Sequence, residues 1–123
     1  MENNKVMYNI SEDEGILEIV ITGKVKAGSI EKVTDEVIAI KKAANLKKLL
    51  VDIRAIEGRF GYAESYFSVK KYSSSFHGIH IALVDIPEDA AWESFHERTA
   101  INSGVSFKWF TNIDNARAWL KSK

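Results

Sequence analysis

Residues 49–53 read Leu-Leu-Val-Asp-Ile, a short and almost continuously apolar run near the middle of the chain. This pattern is typical of a central parallel strand, because a run without polar alternation needs cover on both faces. Before it, apolar residues recur at spacings of three and four from Ile30 to Ala44, after Ser29 as an N-cap. The sequence therefore predicts an amphipathic helix that ends at Asn45 and leads into a buried central strand.

The segments on either side of this unit continue the pattern. Residues 5–10 and 15–22 are apolar or alternating, and the polar segment between them ends in Gly15, which predicts a β-hairpin. Two further strands are predicted over 79–84 and 105–110. Helical patterns are predicted over 62–74, from Pro87 to about Ser103, and from Ile113 to Leu120.

The start of the last helix has a signal of its own. Thr111-Asn112-Ile113-Asp114 resembles a capping box, in which the hydroxyl of Thr111 reaches forward and the carboxylate of Asp114 reaches back. The whole order is then ββαβαβαβα. We expect a single α/β domain over residues 1–123, a mixed and mostly parallel sheet with packed helices and right-handed crossovers.

Composition removes several classes of function. Lys+Arg and Asp+Glu both number 17, so the chain lacks the basic excess of a general nucleic-acid binder. It contains no cysteine, which excludes disulfides, thiolate catalysis and cysteine-ligated metal clusters. The sequence shows neither a signal peptide nor an apolar run of the roughly 20 residues that span a bilayer. A cytoplasmic protein without a cofactor is expected.

Catalytic patterns are weak. Asp52 and Asp85 both end apolar strands, and such a pair could hold magnesium or share a proton. However, no third ligand is evident, and strand-end aspartates commonly cap the following turn. The serines at 73–75 lie near His77 but lack the Gly-x-Ser-x-Gly elbow of a nucleophile, and the scattered glycines form no phosphate loop. A binding module is favoured over an enzyme.

Aromatic residues follow the central strand and recur near the next one. In open α/β sheets ligands bind beyond the carboxyl ends of the strands, so residues 54–62, 85–92 and 110–112 form the expected rim. The candidate ligand- or membrane-binding residues are Phe60, Tyr62, Tyr66, Phe67 and Trp92. Phe60 lies between Gly58 and Gly61 and is the one most expected to be exposed. The alternative is that these aromatics are the faces by which helices cover the sheet.

Three stretches carry a resemblance to a known family. Residues 48–54, 79–84 and 105–120, in this order of elements, resemble the SpoIIAA-like branch of the STAS domains, a fold related to CRAL-TRIO lipid-binding domains. The resemblance implies a non-enzymatic regulatory interaction module. Anti-sigma-factor antagonists of this kind are switched by phosphorylation of a serine just after the central strand. Residues 57–62 read Glu-Gly-Arg-Phe-Gly-Tyr, without that serine, so the phosphoserine switch is not expected here.

Three functional hypotheses remain open. The first is a module that binds an apolar small molecule or lipid, or associates peripherally with a membrane, through the aromatic rim. The second is a protein-interaction module, either homodimeric or similar to an anti-sigma antagonist. The third is an enzyme that uses Asp52, Asp85 and Arg54.

Overall fold

Five strands and two α-helices make up the described part of a computed structural model, which covers residues 4–11, 13–24, 29–57, 71–86, 97–98, 101–102 and 104–123. The strands are β1 (Asn4–Ser11), β2 (Ile16–Lys24), β3 (Lys48–Glu57), β4 (His80–Val84) and β5 (Ser106–Phe110). The helices are α1 (Ser29–Ala44) and α2 (Ile113–Lys121), and a short 3-10 helix spans Ser73–Phe76.

The sheet has the strand order β1-β2-β3-β4-β5. β1 and β2 form the predicted antiparallel hairpin, and the other neighbouring strands pair in parallel. Gly15 closes the hairpin turn at φ +68°, a conformation that favours glycine, and its N–H donates to the carbonyl of Ser11 at 2.8 Å. The prediction of a mixed, mostly parallel α/β sheet is confirmed.

The central strand is longer than the apolar run that predicts it. β3 continues past Ile53 to Glu57 because β2 also continues, and the two strands stay paired as far as Lys24 and Glu57. The pairing register of β2 with β3 shifts between Val20 and Thr22, as it does at a β-bulge, and the pairing continues beyond this point. The prediction that Asp52 ends a strand was therefore wrong: it lies in the middle of β3.

Both faces of the central strand are covered, as its apolar run predicts. On one face, α1 buries Val37 against Leu17 and Leu49. On the other, α2 buries Leu120 against Leu50, which like Leu120 is wholly inaccessible to solvent. Truncating either leucine to alanine would cost about 2–5 kcal/mol, since it removes buried methyl groups and leaves a cavity.

The last helix begins differently from the predicted capping box. Asn112, not Thr111, is the N-cap, and its Oδ1 accepts a hydrogen bond from the backbone N–H of Asn115 at 3.1 Å. Asparagine is as good an N-cap as serine, and here the helix starts one residue later than a threonine cap requires. Ala116 and Leu120 are buried, so the predicted apolar face of this helix is confirmed.

The two middle helices predicted over 62–74 and from Pro87 to about Ser103 lie mostly outside the described residues. The first ends with helical residues 71–72 and the 3-10 helix, and Gly78 at φ +79° follows. Helical residues 101–102 are followed by Gly104 at φ +84°, whose N–H donates to the carbonyl of Ile101 at 3.0 Å. This geometry is typical of a glycine at the C-terminal cap of a helix.

Candidate interaction face

The helix α2 covers only part of its face of the sheet. It packs on β3, β4 and β5, and it is the helix that the described residues place on this side. One cross-strand row begins at Met7, which pairs with Val20, which in turn pairs with Asp52. Arg54 lies two residues beyond Asp52 and therefore on the same face. We call Met7, Val20, Asp52 and Arg54 the open face.

Exposure changes steeply along this row. Met7 is 57% exposed, Val20 is half-buried and Asp52 is buried. The row continues to Val84, which is wholly buried under α2. The open face is thus an apolar and charged surface that continues directly into the core beneath α2.

The charged part of the open face is a two-pronged ion pair. Arg54 Nε lies 3.0 Å from Asp52 Oδ1, and Arg54 Nη2 lies 2.8 Å from Asp52 Oδ2. The backbone N–H of Arg54 also donates to Asp52 Oδ1 at 3.1 Å. Burial alone would raise the pKa of Asp52, but the hydrogen bonds and charge of Arg54 outweigh it, so the pKa lies below its ordinary value. Asp52 is therefore an ionised carboxylate whose negative charge is paired with the guanidinium of Arg54.

A chain of alternating charges links this pair to α2. Arg117 Nη1 contacts Glu14 Oε1 at 2.9 Å, and Arg117 Nη2 contacts Glu18 Oε1 at 2.5 Å. The carboxylate of Glu18 also raises the pKa of Arg54, after the larger effect of the Asp52 hydrogen bonds and against the opposing effect of burial. Because positive and negative groups alternate, the surface is charged but locally balanced.

The aspartate after β4 has a structural role. Asp85 is wholly buried, and its Oδ1 accepts the backbone N–H of Ile86 at 2.8 Å. Asp52 pairs across the sheet with Val84, not with Asp85. Within the described ranges, no group of three His, Asp or Glu side chains is placed to hold a metal ion. The geometry fits the reading of Asp85 as a turn cap.

A polar row lies at the opposite, amino-terminal end of the parallel strands. Lys48, His80 and Ser106 pair in register across β3, β4 and β5. His80 Nδ1 lies 2.7 Å from Ser106 Oγ, and its ring meets Trp119 edge-on with the ring centroids 6.2 Å apart. Burial, followed by the charges of Lys123 and Lys48, lowers the pKa of His80. The ring packs under α2 and is not an isolated surface group.

The predicted aromatic rim falls in segments that the structure does not describe. Phe60, Tyr62, Tyr66, Phe67 and Trp92 all lie outside the described residues, so their role stays a prediction. Ile86, at the same rim, is 36% exposed. Sequence reasoning missed the open face, although the signal was present: opposite charges two residues apart share a face once β3 is extended through Arg54. None of the described helices is long and apolar enough to cross a membrane.

Comparison with known proteins identifies the architecture. No protein-family model matches the sequence, and no curated protein shows a significant match. An anti-sigma factor antagonist from Mycobacterium paratuberculosis superposes with a TM-score of 0.64 over 96% of this chain and 94% of that one, at 12% identity. An uncharacterised DUF3478-family protein with a SpoIIAA-like fold from Shewanella loihica gives 0.61 over 98% and 95%, at 20% identity.

The chain has the SpoIIAA-like fold. The fold expectation taken from residues 48–54, 79–84 and 105–120 is thereby confirmed. At 12% and 20% identity the likeness is one of fold. The function of this SpoIIAA-like chain has to be argued from its own surface, because one fold serves many functions.

Proposed function

We propose that this SpoIIAA-like chain is a non-enzymatic regulatory module that binds a protein partner on the open face. The observation that carries the proposal is the row beside α2, in which Met7 is 57% exposed and Val20 leads to the Asp52–Arg54 ion pair. One of the similar structures is an anti-sigma factor antagonist, which supports a regulatory role.

The open face has the chemistry of a protein-binding surface. Methionine and arginine are enriched in such interfaces, where apolar contact is combined with a few directed hydrogen bonds. Asp52 occupies Nε and Nη2 of Arg54, whose side chain is still 43% exposed. The guanidinium is thus already oriented, and its Nη1 donors are not used by Asp52. A partner carboxylate or carbonyl would find a donor that loses little freedom on binding.

The two aspartates support binding rather than catalysis. Asp52 is neutralised by Arg54, and Asp85 caps the backbone of Ile86. A general base or magnesium ligand must present a free carboxylate to its substrate or ion. Both carboxylates are instead engaged with groups of the chain itself, so the enzyme hypothesis built on them loses its main support.

The test is a comparison of partner binding by two arginine variants. The immobilised, unaltered protein captures partners from a lysate of the source cells. Each captured protein is then purified and titrated by calorimetry against the unaltered protein and against both variants. Arg54→Gln should raise the dissociation constant at least about tenfold, as for a central interface arginine. Arg98→Gln, which alters an exposed arginine outside the open face, should leave it unchanged. Equal affinity of both variants for every captured partner would contradict the proposal.

We also propose a second candidate, an apolar ligand or membrane contact at the aromatic rim. The exposed Ile86 supports it, since this apolar side chain lies just after the carboxyl end of β4, the edge at which ligands bind in open α/β sheets. Such a protein would be cytoplasmic and peripherally associated with lipid. Co-sedimentation with anionic phosphatidylglycerol vesicles tests it: Phe60→Ser should lower the bound fraction severalfold, and Ile101→Ser should not. No binding by the unaltered protein would contradict it.

A further inference from the structure

The two edges of the sheet are protected differently. β5 is a five-residue strand with Lys108 at its centre, and the outward backbone N–H of Trp109 donates to Glu97 Oε2 at 2.8 Å. β1 is an eight-residue strand without proline or glycine, and Lys5 is its only charged residue. Sheet edges are normally protected by short strands, charges, proline or a covering group. The described residues supply these devices to β5 and almost none to β1.

The β1 edge also carries exposed apolar side chains on both of its faces. Met7 is 57% exposed and Ile10 is 41% exposed. Their positions differ by an odd number, so they lie on opposite faces of β1. Exposed apolar side chains flanking a row of outward backbone groups form a surface suited to another strand.

We propose that β1 pairs antiparallel with β1 of a second copy of this chain, about a twofold axis perpendicular to the sheet. The two sheets then become one continuous sheet. Such an interface is isologous, because each copy contributes the same strand to it.

The strand is its own complement in this arrangement. A twofold axis perpendicular to the sheet keeps each face on its own side, so opposed residues must be separated by an even number. With Met7 opposite Met7 of the second copy, Val6 opposes Tyr8 and Lys5 opposes Asn9. With Tyr8 at the axis instead, Val6 opposes Ile10 and Lys5 opposes Ser11. Each register gives an apolar partner to three of the four apolar positions. The exception is Ile10, opposite Asn4, in the first register and Met7, opposite Asn9, in the second. Neither register opposes like charges.

The helix beside β1 is compatible with a second copy. Tyr8 donates its hydroxyl to Glu36 Oε2 at 3.1 Å, which places Glu36 of α1 on the β1 side of the molecule. Lys32 lies one helical turn earlier and is also exposed. This side of α1 therefore carries both signs of charge, and an antiparallel copy of the helix would not meet a block of like charge.

The first test is the mass of the protein in solution as a function of concentration. Sedimentation equilibrium of the whole chain should show the 13.9 kDa monomer at low micromolar concentration and twice that mass at high concentration. Met7→Lys should raise the dimer dissociation constant severalfold or more, since it brings like charges to the strand interface. Ile101→Lys is the matched control, because Ile101 is 53% exposed and lies five residues before β5, at the opposite edge of the sheet from β1. A monomer at every concentration would overturn the proposal.

The absence of cysteine from the chain allows a direct second test. Single cysteines replace residues 6 to 9 in turn, with Ile101→Cys as the control. Opposed residues in antiparallel strands have Cα atoms about 4.5–5.5 Å apart, within the range that a disulfide spans. The position at the axis should give a covalent dimer faster than its neighbours. If all four positions cross-link no faster than Ile101→Cys, the β1 interface is wrong.

Dimerisation and partner binding fail separately. Arg54→Gln alters the open face at β3 and leaves β1 intact, so it should leave the concentration dependence of the mass unchanged. Met7 belongs to both surfaces, so Ile10→Lys, which alters β1 outside the open face, is the variant that should weaken the dimer and leave partner binding unchanged. Circular dichroism of each variant establishes that a loss of dimer is not a loss of fold. A variant that unfolds is replaced by the next exposed β1 position, Ile10→Lys.

Discussion

Arg54 and Asp52 lie two residues apart on one face of β3 and are joined through two side-chain contacts of 3.0 and 2.8 Å. The carboxyl side chain is 12% exposed and the guanidinium side chain is 43% exposed. The aspartate is therefore the buried member of the pair, and the arginine is the member that reaches solvent. This difference decides how the two substitutions act.

Removal of Arg54 should cost more stability than removal of the Asp52 charge. Arg54→Ala leaves a buried carboxylate without its cation, whereas Asp52→Asn leaves an arginine that water can solvate. We expect a loss of about 2 kcal/mol for the first and about 1 kcal/mol for the second, both reduced by solvent screening of the exposed guanidinium. Urea unfolding at pH 7 measures both. A larger loss for Asp52→Asn would show that the aspartate is not the buried partner.

The same pair gives the stability a pH dependence of known sign. The pKa of folded Asp52 is lowered: burial opposes this, but the hydrogen bonds and charge of Arg54 outweigh burial. The contribution of ionised Asp52 to the free energy of unfolding is therefore complete above the unfolded pKa of about 3.9. It is lost as the pH falls through the pKa of the folded state. Arg54→Ala keeps the backbone N–H that donates to Asp52 but removes the guanidinium charge and its side-chain hydrogen bonds, so the pKa of Asp52 should rise. Carbon-13 titration of the Asp52 carboxyl group follows it, and an unchanged midpoint in the variant would contradict this account.

Much of the architecture could be predicted from local sequence, but strand ends could not. The apolar run at 49–53 and the helical spacing after Ser29 mark residues that are buried in the core, so both could be recognised from the sequence alone. The extension of β3 to Glu57 has no such signal. Its last residues are mostly exposed and are held in the strand by pairing with β2, a contact that is distant in sequence.

The Asp52–Arg54 pair has a local signal, but its place in one row with Met7 could not be predicted, for the same reason. Met7 and Asp52 are 45 positions apart in the numbering and share a row only because β1, β2 and β3 pair in one register. Asn112 is a different case, since Thr111 and Asn112 are both good caps and the residue that serves depends on where β5 ends. The aromatic rim remains a prediction.

Protonation of His80 should weaken the fold between pH 7.5 and pH 5.5. Burial and the nearby charges of Lys123 and Lys48 lower the pKa of folded His80, so the neutral ring is favoured in the native state. The contribution of neutral His80 to the free energy of unfolding is then complete above the unfolded pKa of about 6.5 and is lost as the pH drops through the pKa of the folded state. Urea unfolding at the two pH values should show a loss that is reduced in His80→Gln. The same pH dependence in both proteins would rule out His80 as its source.

Arg117 should couple the hairpin to α2. Its two terminal nitrogens contact Glu14 and Glu18, so one side chain on α2 holds the hairpin turn and β2 together. Because Arg117 is only 28% exposed, Arg117→Met should cost about 1–2 kcal/mol. Arg117→Lys keeps the positive charge but not the planar guanidinium, so it should retain part of the stability that Arg117→Met loses. A double-mutant cycle with Glu18→Gln measures the pair, and a coupling energy of zero would show that the contact does not stabilise the fold.

Two glycines with similar backbone angles should respond differently to alanine. Gly15 has φ +68° and no atom within 4 Å of an added Cβ, so Gly15→Ala should cost about 1 kcal/mol from backbone strain alone. Gly104 has φ +84°, and an added Cβ would lie 3.2 Å from His77 Nε2, so Gly104→Ala should cost more. Combining it with His77→Ala removes the obstructing ring. In that background, Gly104→Ala should lower the free energy of unfolding in urea by no more than Gly15→Ala does. An undiminished loss would show that contact with His77 is not its cause.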